Sequence, residues 1–142
     1  MTAALEAIWN TLHDGAITSC TGVIPGSVKL VVEVEYIATR LLPGSKALLV
    51  ELNDCEEFAY DFHESAKKTI RMTNLSEITE SGPIIIAGDR EGESLIIECA
   101  CGIVYCRYSG YTISLENESE VSYEAVLKAC EDYWREWKEH YI

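Results

Sequence analysis

The chain has 142 residues, 48% of them hydrophobic, with 24 acidic against 11 basic side chains and a net charge of −13 at neutral pH. That length suits one domain spanning 1–142, and the apolar fraction is high enough to build a core and to exclude disorder. The acidic field repels phosphate backbones and anionic lipid, which speaks against nucleic acid and membrane and favours a basic protein partner.

Residues 3–13 read as a helix. Leu5, Ile8, Trp9 and Leu12 fall at i, i+3, i+4 and i+7 and make one apolar face. Thr2 suits its cap and Gly15 its stop. The same stretch has no basic leader and carries Glu6, unlike a signal peptide. The apolar runs are too short for a membrane span. A cytoplasmic protein with six reduced cysteines is therefore expected.

Two strands follow, 16–24 and 27–39, around Pro25-Gly26, a pair that suits a type II turn. In the second, Val28, Leu30, Val32, Val34 and Tyr36 share one face, with Lys29, Glu33 and Glu35 on the other. Pro43-Gly44 punctuates the next connection. Residues 46–53 group Leu48, Val50 and Leu52. Residues 56–62 set Phe58, Tyr60 and Phe62 opposite Glu57 and Asp61. Residues 63–77 show no strong period and fit a loop with a short helix or strand.

Residues 83–89 and 93–101 flank Asp-Arg-Glu-Gly as a hairpin. Residues 102–108 and 111–115 flank Ser109-Gly110 as another. A long helix closes the chain, with a stripe of Val126, Cys130, Tyr133, Trp134, Trp137 and Tyr141. Ser122 suits its N-cap, Val121 and Val126 a hydrophobic staple, and Glu124 its positive end. Strands joined by short turns, with no βαβ rhythm, predict an α+β fold. Its expected form is a mainly antiparallel sheet of six to eight strands, with an N-terminal helix and a long C-terminal helix packed on it.

Cys99, Cys101 and Cys106 form a Cys-x-Cys-x4-Cys run with no second pair. Cys20, Cys55 and Cys130 are scattered, and His13, His63 and His140 are not spaced as ligands, so no metal is expected. In an unbroken strand Leu95, Ile97, Cys99, Cys101, Ile103 and Tyr105 share a face. A bulge at Gly102 would instead turn Val104, Cys106 and Tyr108 inward. Either way the thiols read as small core residues. There is no nucleophile elbow and no phosphate loop, so no cofactor is expected. His63 near Asp61 offers an acid–base pair, and Glu33 with Glu35 a pair of carboxylates. Trp9, Trp134 and Trp137 read as core anchors. Tyr105, Tyr108 and Tyr111 bracket one connection, and tyrosine on an acidic face suits a protein contact.

The stretches LHDGAITSCTGVIPGSVKLVVEVEYI, LNDCEEFAYDF and ACEDYWREW, in that order, resemble small bacterial domains of unknown function similar to immunity proteins of toxin systems. The resemblance implies a compact, acidic, non-enzymatic antidote that masks a toxin's active site. It carries no site residues. The leading expectation is thus an interaction domain with a basic partner, using Tyr105, Tyr108, Tyr111, Glu33 and Glu35. The alternative is a small-ligand binder or enzyme with a pocket between sheet and C-terminal helix. Its polar groups would be His63 with Asp61, or Glu33 with Glu35. An uncovered sheet face or edge strand also permits a homodimer.

Overall fold

The computed structural model describes residues 4–141, and the expected Thr2 cap lies outside them. The chain starts with α1 (Ala7–Thr11), β1 (Ala16–Gly22), β2 (Gly26–Glu33), α2 (Glu35–Leu41) and β3 (Ala47–Cys55). Next come β4 (Glu57–Ser65), β5 (Lys68–Met72), α3 (Leu75–Ser81), β6 (Ile85–Glu91) and β7 (Ser94–Cys99). It ends with β8 (Gly102–Arg107), β9 (Gly110–Leu115), β10 (Glu120–Val121) and α4 (Tyr123–Tyr141). The fold is α+β as expected. The described strands number ten, more than the six to eight expected, and they form two antiparallel sheets of five. The orders are β1-β2-β3-β9-β10 and β5-β4-β8-β7-β6.

Two bent strands join the sheets. Only Glu56 separates β3 from β4, yet β3 pairs with β9 in one sheet and β4 with β8 in the other. At the bend Ser109 N–H donates to Asn53 O (2.9 Å) and Glu56 N–H to Arg107 O (2.8 Å). The Ser109 hydroxyl also donates to Asp54 Oδ2 (2.8 Å), and Asp54 takes a φ of 50°. Ser109-Gly110 is therefore a passage between sheets and not the hairpin its residues suggest. A small flexible pair relieves a bend as well as it makes a turn.

The true reversal lies in the cysteine run. Cys99 pairs with Gly102, and Ala100-Cys101 turn the chain between β7 and β8. The unbroken strand expected through 95–105 does not form, nor is a bulge needed. Val104, Cys106 and Tyr108 face inward because β8 starts afresh at Gly102. The hairpin expected around 89–92 is present, with its turn at Gly92-Glu93 and β6 running on through Glu91. Residues 63–77 hold the end of β4, all of β5 and the start of α3. Asn74 Oδ1 caps α3 by accepting from Ser76 N–H (2.8 Å) and Glu77 N–H (3.3 Å).

The strand expected to reach residue 39 stops at Glu33, and α2 follows. Val34, Ile37 and Ala38 are buried, with Leu41 packed beside them, which is i, i+3, i+4 and i+7 spacing. Helical burial overrides the strand alternation there. The β1–β2 connection is closed by Val23 N–H on Ser27 O (3.2 Å). Gly26 takes a φ of 148°, well away from the roughly +80° of a type II turn, so the expected type II turn does not form.

One contiguous apolar cluster draws on both sheets and all four helices. α1 is only five residues long, shorter than expected, and lies against β6 at Gly88. A Cβ on Gly88 would sit 2.8 Å from Trp9 Cβ, so only a bare backbone admits the helix. Asn10 locks the contact by donating to Gly88 O (3.2 Å) and accepting from Gly88 N–H (3.0 Å). Trp9 is fully buried; its Nε1–H donates to the Tyr108 hydroxyl (3.0 Å), which donates on to Leu5 O (2.9 Å).

Candidate functional site: an acidic groove beside β9

Between β9, β10 and the start of α4 lies an open groove of about 640 Å³. It forms because β10 is only two residues long and pairs only with Ile113 and Ser114 of β9. Ser122 then accepts from Ala125 N–H (3.1 Å) and turns the chain into α4. The departing helix leaves Gly110–Thr112 along the groove floor. Glu120, Tyr123 and Glu124 line it opposite. Tyr123 Oη is held 3.1 Å from Thr11 Oγ1. Burial pushes the Tyr111 phenol up to about 12, with Tyr123 and Glu124 adding to the rise. Among the described residues no lysine, arginine or histidine lines the groove. Glu120 and Glu124 are exposed and make no ion pair among the described residues.

The carboxylates of Asp61 and Glu116 are already engaged. Asp61 takes a two-pronged contact from Arg71 (2.7 and 3.0 Å), which holds its carboxyl below the usual range. Glu116 accepts from the backbone N–H groups of Lys46 and Ala47 (both 2.7 Å) and from the Ser45 hydroxyl (3.0 Å). These donors hold its carboxyl low as well. A smaller hollow of about 310 Å³ on the outer face of the first sheet has Lys29 across from Glu51 at 3.8 Å.

The residues expected to share a site are dispersed. Tyr105 lies in β8 under the Arg71 guanidinium (5.4 Å), Tyr108 is buried against Trp9, and only Tyr111 reaches the groove. Glu33 ends β2 and Glu35 begins α2, so they share no strand face. His63 hydrogen-bonds Thr69 Oγ1 (3.2 Å), while Asp61 turns to Arg71. A pocket does lie between sheet and C-terminal helix, but none of these four groups lines it. In the sequence Glu120 and Tyr123 carry no motif, and Glu124 marks only the charge at a helix end. The available signal was the run Glu120-Val121-Ser122-Tyr123-Glu124, two acids and a tyrosine around a helix cap.

All six cysteines are free, and only Cys101, in its turn, is exposed. Burial pushes the Cys20 thiol up to about 11 and Cys99 up to about 12, which keeps both protonated and unreactive at neutral pH. No cluster of three or more His, Cys, Asp or Glu is placed to hold a metal among the described residues. Trp134 is half-buried and stacks on His13 (5.6 Å, 23°). Trp137, expected as a core anchor, is 41% exposed. No described helix is long and apolar enough to cross a membrane. Comparison with protein-family models, curated proteins and solved structures returns no match to this chain.

Proposed function

We propose that the chain is a non-catalytic interaction domain that binds a basic protein, in the manner of an immunity-type antidote acting in the cytoplasm. The observation that carries the reading is the groove lining: Glu120, Glu124, Tyr111 and Tyr123 with no cation among them. A lysine or arginine entering it gains two carboxylates and aromatic faces, each cation–ring contact contributing about 0.5–2 kcal/mol. The net charge of −13 steers such a partner from a distance. A stable complex buries roughly 1,200–2,000 Å², so the groove is the anchor within a wider contact.

Capture from the native lysate at low ionic strength, followed by association kinetics with the recovered protein, tests this. The expected partner is basic, associates more slowly as salt rises, and is slowed further by Glu120→Gln with Glu124→Gln. Failure to recover any protein, or a rate indifferent to salt and to that double variant, overturns it.

The groove volume also lies within the range of small-ligand sites. A cationic small molecule is the second reading. It predicts saturable binding of simple amines with no protein partner.

A further inference from the structure

We propose that the partner's basic segment enters the groove as an extended strand, adding to the free edge of β9 antiparallel to it and in line with β10. This rests on the reading of the groove as a site for a basic protein, and adds the backbone geometry by which it binds.

The direction of the β9 backbone follows from two independent sets of bonds. Leu115 N–H donates to Ser119 O (2.8 Å), and Leu115 O accepts from Glu118 N–H (2.9 Å). Both polar groups of Leu115 therefore point away from β3. In an antiparallel strand the two groups of one residue face the same side, and sides alternate along the chain. Ile113 and Tyr111 share the side of Leu115. On the other flank, Val34 N–H donates to Lys46 O (2.9 Å), which points Lys46, Leu48, Val50 and Leu52 at β2. Leu49, Glu51 and Asn53 then face β9 and engage Ser114, Thr112 and Gly110. Both routes give the same result.

Ile113 sits opposite Val121 of β10. Tyr111 is next in line and pairs with no strand residue on that side. Its N–H and C=O point into the groove and make no hydrogen bond among the described residues. An edge strand of this kind is a template for another chain. Folded proteins blunt such edges with lysine, proline or a charged side chain; Gly110-Tyr111-Thr112 carries none of these. At about 3.3 Å per strand residue and about 4.8 Å between strands, the space left by the departure of α4 takes a short extended segment. The residue opposite Tyr111 exchanges two hydrogen bonds with it. Side chains of the added strand alternate in direction, and those turned toward Glu120 and Glu124 are basic by charge complementarity.

The test uses three end-capped hexapeptides of alternating lysine and valine: one plain, one N-methylated at the odd amides and one at the even amides. An N-methyl group removes a donor and blocks close approach on one edge of a strand only. The plain peptide is expected to bind and to slow hydrogen exchange of the Tyr111 amide on the order of tenfold or more. One methylated peptide should lose binding about tenfold, the two hydrogen bonds and the close approach it forfeits together being worth about the 1.4 kcal/mol of that change, while the other binds like the parent. Equal binding by all three, equal loss from both methylated forms, or an unchanged Tyr111 amide overturns strand addition. If binding in those cases still falls with salt and with Glu120→Gln plus Glu124→Gln, the groove reading stands without it. Absence of binding by any peptide also overturns strand addition, and the salt dependence of the captured partner then decides the groove on its own.

Discussion

Trp9 and Trp137 both lie on the apolar stripes of terminal helices, and the protein uses them in opposite ways. Trp9 is fully buried, pressed on Gly88 of β6 and bonded through its ring N–H to Tyr108. Trp137 is 41% exposed on the last turns of α4. The buried residues of that helix, Val126, Ala129 and Cys130, all fall in its first half. Trp134 still packs on His13 and Tyr36, but beyond it the stripe runs over its own neighbours: Trp137 touches Trp134 (6.0 Å between rings) and Tyr141 (5.2 Å) instead of a sheet. A helical stripe fixes which face is apolar. How far a body extends beneath it depends on where the strands end, and that is not written in the helix.

Truncation should separate the two tryptophans by the largest margin. Trp9→Ala opens a hole in a filled core and is expected to cost about 3–5 kcal/mol, read from the denaturant midpoint. A loss under about 1 kcal/mol would erase the contrast. Tyr108→Phe keeps the packing and removes one oxygen. It leaves the Trp9 ring N–H and the Leu5 carbonyl without their partner, an expected cost of about 1–3 kcal/mol.

Alkali probes the buried side chains without mutation. Burial pushes the Tyr108 phenol far above its ordinary value and Tyr60 up to about 12. In the unfolded chain both ionise near pH 10. The folded state holds these protons longer than the unfolded one. Stability is therefore untouched below about pH 10 and falls as pH rises through that value toward the folded-state values. Tyrosine absorbance should show exposed phenols ionising first and the buried ones only as the fold is lost. A single smooth ionisation of all eight tyrosines with the fold intact would contradict the burial of Tyr108.

The strands were legible in the sequence because side-chain alternation is a local property, and Val28, Leu30, Val32, Leu48, Val50 and Leu52 obey it. Their connections were less so. Ser109-Gly110 carries a turn signature and passes between sheets. Ala100-Cys101 carries none and reverses the chain. Turn residues report permitted backbone angles, and a bend and a hairpin ask for similar ones. α2 was written in Val34, Ile37, Ala38 and Leu41, but a preceding run of strand alternation masked it. The groove was the least legible feature. Tyr111 could be named from sequence, whereas Glu120 and Tyr123 meet it only because β9 crosses into the first sheet and β10 ends after two residues.

The smallest expected effect completes the comparison. Trp137→Ala removes a large ring, and by size alone it should rank with Trp9→Ala. Its neighbours argue otherwise. Trp134 keeps His13 stacked on one side and Tyr36 edge-on at 5.8 Å without it. The surface given up is already partly wet, so the variant should lie within about 0.5 kcal/mol of the parent, with the alkaline midpoint unmoved. A cost above about 1 kcal/mol would mean that the far half of α4 is held by its own aromatic ridge. The two tryptophans would then both be anchors, one of a core and one of a helix end.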